Sequence, residues 1–237
     1  MPVVRTPWRD FPNVSVHTTS EAVSSHPAFA SARAGDMSAA YAVILDSFSP
    51  VLLAKSLSVK PDFVCPVMRL DSSQVWDPLP LAFANEAARS TGARVVPLIV
   101  QDNIVQNFDP LSKITSQPSF SGTVPKGSYL IVDTTTSTGS TLANLRGWIE
   151  TNGSQVVLAS TLCAKIFAAK IRPDARFIPS IKSRFSTELT VFPEKLGFSV
   201  DCLTQREAAF INGLKNLECI RNPLASSHNT IRPTTFQ

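Results

Sequence analysis

Cysteine is scarce in this chain, and the four that occur, Cys65, Cys163, Cys202 and Cys219, stand far apart without a C-x-x-C pair. With only three histidines, also scattered, a zinc site is not expected, and free buried thiols in a reducing compartment are. Charge is thin as well: charged residues make up 17% of the chain, the net charge is +4, and no run of lysine or arginine forms. That pattern gives no support to a specific nucleic-acid partner, and most of the positive charge is expected on a solvated face. No secretory-type apolar segment opens the sequence, and no apolar stretch approaches membrane-spanning length. The expectation is a cytoplasmic protein with no membrane partner. A G-x-S-x-G elbow, a P-loop and a G-x-G-x-x-G fingerprint are all missing, which sets aside hydrolase, NTPase and dinucleotide readings. His17 and His26 read as surface or capping residues, Trp76 as a packing residue or a stacking platform, and Tyr129 as structural.

What is present is enough apolar sequence, 43% of 237 residues, for one sizeable core and a small appendage. An extended, proline-rich arm leads into weakly helical sequence at residues 20–34, split near Pro27. Asp36 is placed to cap a helix with Ala39, Ala40, Val43, Ile44 and Phe48 on one face, and Pro50 to start another. From Pro61 the pattern changes to apolar strands alternating with helices. Strands are expected at residues 62–67, 94–100, 129–132 and 155–162. A helix capped by Asp77 with Pro78 at its first position follows the first of them, and ends at Thr91-Gly92. A helix carrying Leu142, Leu145, Trp148 and Ile149 follows the third. This alternation predicts an α/β fold with a mostly parallel twisted sheet flanked by helices. Residues 101–126 read as a long irregular loop with Phe108 and Phe120 as isolated aromatics, of the kind that is functional or mobile. Residues 185–192 read as an added strand. Thr204 to Glu207 form a capping-box pattern, and the tail after Arg221 is expected to fray.

The most informative stretch is residues 129–141, YLIVDTTTSTGST. An apolar strand ends in an acid, passes into a hydroxyl-rich loop around Gly139, and opens a helix. A loop of that kind at the carboxyl end of a strand presents helix N–H groups to an anion. Asp133 could accept hydrogen bonds from sugar hydroxyls beside such a phosphate, or serve as a turn residue. Thr138, Gly139, Ser140 and Thr141 could hold the phosphate, cap the helix, or do both.

This stretch resembles the signature of the type I phosphoribosyltransferases. In that family, apolar residues precede two acids that bind ribose hydroxyls and a small-residue loop that holds the 5′-phosphate of phosphoribosyl pyrophosphate (PRPP). Leu130 to Val132 match the apolar part, Asp133 the first acid, and Ser137 to Thr141 the phosphate loop, with Thr134 standing where the second acid belongs. The resemblance implies a core at residues 59–165, with a flexible loop at 101–126. It also implies an N-terminal arm and helices at 1–58, and a C-terminal hood and tail at 166–237. It implies transfer of phosphoribose to an unknown nitrogen acceptor with release of pyrophosphate, through an oxocarbenium-like transition state. Asp133 would be the catalytic, sugar-side acid, and Thr134, Thr135, Ser137, Thr138, Gly139, Ser140 and Thr141 would line the ligand. Arg69, with Asp71 nearby, and Lys113 would meet the pyrophosphate. Mg²⁺ would bridge pyrophosphate and ribose, touching Asp133 only indirectly. The missing second acid and the lightly charged loop leave a second class open, an inactive PRPP- or nucleotide-binding sensor or interaction module. A homodimer is also left open. Two further pairs of segments, HPAF with AGD at residues 26–36 and IVQ with TLANLR at 99–101 and 141–146, look similar to phosphoribosyltransferase-like proteins of plasmids and other mobile elements.

Overall fold

The computed structural model describes residues 4–70, 75–103, 110–165 and 167–222. Among these, seven strands occur: β1 (Ser15–Val16), β2 (Phe63–Pro66), β3 (Arg94–Val95), β4 (Ile99–Gln101), β5 (Phe120–Gly122), β6 (Ser128–Thr136) and β7 (Gln155–Ala164). Five form one sheet in the order β1-β7-β6-β2-β3, and every pairing in it is parallel. The helices are α1 (Ser20–Ser24), α2 (Phe29–Arg33), α3 (Met37–Ser47), α4 (Pro50–Ser56), α5 (Leu79–Thr91), α6 (Pro110–Thr115), α7 (Ser140–Thr151), α8 (Phe177–Arg184), α9 (Gln205–Gly213) and α10 (Glu218–Arg221). None of these is long and apolar enough to cross a membrane by itself.

The middle strand, β6, explains why its apolar run is unbroken. Tyr129 and Ile131 point into one apolar layer with Leu142, Leu145 and Ile149 of α7. Leu130 and Val132 point into the opposite layer with Val43 and Ile44 of α3 and Leu79 and Phe83 of α5. Helices cover both faces, so neither alternate set can be polar. A third apolar cluster joins Ile181, Phe185, Phe192, Leu203 and Ile211 of the C-terminal helices to Ile114 of α6.

Local signals set several helix ends as the sequence predicts. Asp36 Oδ1 accepts from the amides of Ser38 and Ala39 at 2.8 and 3.1 Å. Pro27 falls between α1 and α2, Ser49 caps α4 with Pro50 in its first turn, and Gly92 ends α5 in the left-handed conformation. The Thr204–Glu207 capping box is formed at the start of α9.

Three expectations need correction. Residues 94–100 are not one strand: β3 belongs to the main sheet, whereas β4 pairs antiparallel with β5. Pro97 lies between them and has no amide to continue a ladder. Residues 101–126 are not simply a loop, because they carry α6 and β5, anchored by Ile114 and Phe120, both buried. Phe108 and residues 104–109 lie outside the described residues. Residues 185–192 form no strand: Phe185, Leu189 and Phe192 follow helical spacing and line the third cluster between the end of α8 and a π-helical turn at Phe192–Leu196. The tail from residue 223 lies outside the described residues.

The N-terminal arm is part of the structure's fabric. β1 pairs with β7, and the segment before it lies across α7. A Cβ on Gly147 would stand 2.1 Å from the Val4 carbonyl oxygen, so only glycine admits the arm there. The Arg146 guanidinium donates to the carbonyls of Thr6 and Pro7 and stacks over the rings of Trp8 and Phe11.

Candidate functional site

The loop between β6 and α7 is at the carboxyl edge of the sheet, on its middle strand. The strand runs further than its apolar part: pairing with β7 continues through Asp133, Thr135 and Thr136, opposite Thr161, Cys163 and Ala164. Asp133 is therefore inside the strand, not just beyond its end. The β-branched threonines that follow it suit a pleated strand.

Asp133 is 2% exposed. Its Oδ2 accepts from Arg69 Nη1 at 3.1 Å, and its Oδ1 from the Thr134 amide at 2.7 Å. Arg69 continues to Asp77 Oδ2 at 3.6 Å, and Asp77 also takes a hydrogen bond from Arg33. Burial pushes the Asp133 carboxyl above the ordinary carboxylate range, although the Arg69 guanidinium draws it the other way. Asp133 in turn raises the pKa of Arg69. Arg69, expected at a pyrophosphate, is thus tied to the acid expected at the ribose. Thr134, where the second acid would stand, is buried, and its hydroxyl has no hydrogen-bond partner. Asp71 lies outside the described residues.

The loop itself is covered. Gly139 precedes α7 with φ +84°, and a Cβ there would meet Ile171 Cγ1 and Thr204 Cγ2, each at 3.3 Å. Its close neighbours are hood side chains. Thr204 Oγ1 donates to the Thr138 carbonyl at 2.6 Å. The Thr138 and Ser140 hydroxyls are 2.8 Å apart, and Ser140 Oγ donates to Glu207 Oε1 at 2.7 Å. Ser137 and Thr141 are half-buried and Thr135 is exposed. Lys113 is on α6, a helix that packs against α9 and α10 of the hood.

Glu207 anchors a buried polar network that sequence reasoning did not assign to the site. Its Oε2 accepts from Arg5 Nη1 at 2.6 Å and from the Thr204 amide at 2.9 Å, while Oε1 accepts from Arg5 Nη2 at 2.9 Å. Arg5 Nε also donates to Asn144, and its Nη2 to Gln117 Oε1 at 2.5 Å. Asn144 Nδ2 returns to Gln117 Oε1 at 3.0 Å and to the Pro118 carbonyl at 2.6 Å. Burial opposes the charge on Glu207, yet Arg5 and the donated hydrogen bonds hold its pKa below the usual value. The capping box signalled Glu207's local role; nothing local signalled Arg5 as its partner, or Gln117 as a partner of Arg5.

His17 is half-buried against the cap of α4. Its Nδ1 accepts from the Ser49 amide at 3.2 Å, its Nε2 lies 2.9 Å from Ser160 Oγ, and its ring meets Phe48 and Phe83 edge-on. His26 has a capping role, with Nδ1 accepting from the Ala28 amide at 3.1 Å. Trp76 is 44% exposed.

Among the described residues, no group of three or more His, Cys, Asp or Glu side chains is placed to hold a metal ion. A cation beside Asp133 would face the Arg69 guanidinium already bound there, so these residues do not fit a resident Mg²⁺.

Fold and site together define an α/β protein with a parallel sheet, helices on both faces, and a candidate anion loop on the middle strand. No family model matches the chain. It is 30% identical over 233 residues to Protein TraN of Escherichia coli, covering 95% of this chain and 52% of TraN. It is 28% identical over 152 residues to an uncharacterized protein of Haemophilus influenzae, covering 62% of this chain and 34% of that protein. The chain spans about half or less of the length of these curated relatives. Among solved structures it is similar to an adenine phosphoribosyltransferase at 17% identity and a TM-score of 0.35, over 54% of this chain and 71% of the other. The adenine phosphoribosyltransferase of Thermoanaerobacter pseudethanolicus gives 14% and 0.33, over 52% and 81%. The UMP synthase of Leishmania donovani gives 16% and 0.29, over 62% and 25%.

Proposed function

We propose that this chain is a phosphoribosyltransferase-like module that senses a phosphate-bearing ligand, PRPP or a nucleoside phosphate, without transferring phosphoribose. One observation carries this reading: the ion pair that the buried Asp133 makes with the half-buried Arg69, beside Thr134. An acid that binds ribose hydroxyls must be reachable by them. Asp133 is 2% exposed, and each of its oxygens already accepts one hydrogen bond, from Arg69 and from the Thr134 amide, so ribose hydroxyls would compete for acceptor sites closed to solvent. Taking Arg69 away leaves the buried Asp133 charge uncompensated, at about 3–5 kcal/mol, and Thr134 supplies no second acid next to it. The strand–acid–loop–helix order of residues 129–141 supports the kinship with phosphoribosyltransferases, and the similarity of short segments to mobile-element proteins belongs to the same proposal.

The test is calorimetry with PRPP and Mg²⁺ alongside an assay for pyrophosphate release over a panel of nitrogenous bases. Saturable binding without pyrophosphate release is the expected result. Release above the no-protein rate with any base overturns the sensor reading in favour of a transferase.

A further inference from the structure

The start of α7 already has an anion in it, and the chain supplies that anion itself. Glu207 is in the first turn of α9, and its carboxylate accepts from Ser140 in the first turn of α7. The same carboxylate takes both terminal nitrogens of Arg5 and the Thr204 amide. Two helix N-termini, each carrying partial positive charge, and one guanidinium thus converge on a single carboxylate. The Arg5 and Glu207 side chains are 1% and 0% exposed, so water contributes little to balancing this charge. Two helix ends and a full cation, set against one negative charge, are suited to an oxyanion carrying more charge than a carboxylate.

We propose that Glu207 is an internal ligand of the loop at residues 137–141, competing with an external phosphate group and holding the site shut until α9 withdraws. This rests on the sensor reading above and adds its regulation. The hood contacts are part of the same closure. Thr204, the cap of α9, donates to the Thr138 carbonyl and places its methyl group 3.3 Å from where a Cβ of Gly139 would stand. Moving α9 away would release Thr138, Gly139 and Ser140 together. It would also leave Arg5, held to α7 by Asn144, facing the opened loop. The occupant and the lid are one element, so phosphate binding and hood opening become a single equilibrium.

The experiment uses inorganic phosphate as the probe, with chloride at matched ionic strength as the control. Thermal melting is followed for the unmodified chain, Glu207→Gln, and Glu207→Gln combined with Ser140→Ala. Glutamine keeps an acceptor for the Thr204 amide and so keeps the helix cap, while removing the charge that pairs with Arg5. Phosphate is expected to stabilise Glu207→Gln at a half-saturating concentration about tenfold or more below that of the unmodified chain. Ser140→Ala is expected to cancel that gain. Equal phosphate responses in Glu207→Gln and the unmodified chain overturn the proposal, as does a gain that persists without the Ser140 hydroxyl. If Glu207→Gln does not fold in chloride, folding restored by phosphate supports the proposal. Failure in both salts passes the decision to Glu207→Asp, which keeps the charge but shortens its reach. A half-saturating concentration in Glu207→Asp below that of the unmodified chain supports the internal ligand, and an unchanged one overturns it. Pyrophosphate release is measured separately, so the sensor reading can fail while the internal ligand stands.

Discussion

Arg5 and Glu207, 202 positions apart in sequence, join the N-terminal arm to the hood through paired hydrogen bonds of 2.6 and 2.9 Å. Arg5→Ala strands a buried carboxylate, and a loss of about 3–5 kcal/mol is expected. Arg5→Lys, which lacks the planar fork, is expected to lose less than Arg5→Ala. Urea unfolding monitored by circular dichroism checks both, and an Arg5→Ala midpoint equal to that of the unmodified chain would refute the assignment.

Gly147→Ala is expected to lift the arm off α7. Alanine favours a helix interior over glycine by about 1 kcal/mol, but its Cβ would stand 2.1 Å from the Val4 carbonyl oxygen. The collision outweighs the propensity gain, so the melting temperature should fall and the buried Trp8 should gain solvent exposure. A red-shifted tryptophan emission tests this; a more stable variant contradicts it.

Stability is expected to fall as pH drops from about 6.5 toward 4, in part because of His17. Burial lowers its pKa from 6.5 to about 4. Between those values the unfolded chain holds more protons than the folded one. The contribution is therefore complete above pH 6.5 and lost progressively below it. In His17→Gln the slope over this window should flatten, measured as the difference between two urea titration series. Identical slopes would show that His17 is not the titrating group.

Thr134→Asp is expected to restore nothing. The position is buried, and the hydroxyl already there has no hydrogen-bond partner. A second carboxyl beside Asp133 should cost about 2–5 kcal/mol and bring no pyrophosphate release. A stable Thr134→Asp chain that releases pyrophosphate from PRPP would reverse this view of the site.

Features governed by neighbours in sequence were legible in advance. Asp36, Pro50 and the Thr204 box act within one turn of themselves, so local chemistry sufficed. The apolar run of β6 and the helical spacing of Leu142, Leu145 and Ile149 announced a layered parallel sheet. Where partners come from far away, the sequence was mute. Residues 185–192 have an ambiguous apolar pattern that only packing against Ile114 and α9 resolves. Pro97 sends one apolar run into two different sheets. The loop after β6 read as a candidate anion site, but nothing in it signalled that Ser140 would meet Glu207, 67 positions away. Asp133 was recognisable as a notable acid, whereas its pairing with Arg69 depends on how the segment after β2 returns to the sheet.

The four thiols carry no disulfide and are distributed over separate parts of the architecture. Cys65 is sealed in the middle of β2 and Cys163 near the end of β7, while Cys202 offers its carbonyl to Arg5 beneath the arm. Cys219, half-buried on α10, is the most accessible of the four. A labelling reagent therefore meets a graded series of reporters that nature has already installed. Modification of Cys202 ahead of Cys65 would time the parting of arm and hood separately from rupture of the sheet.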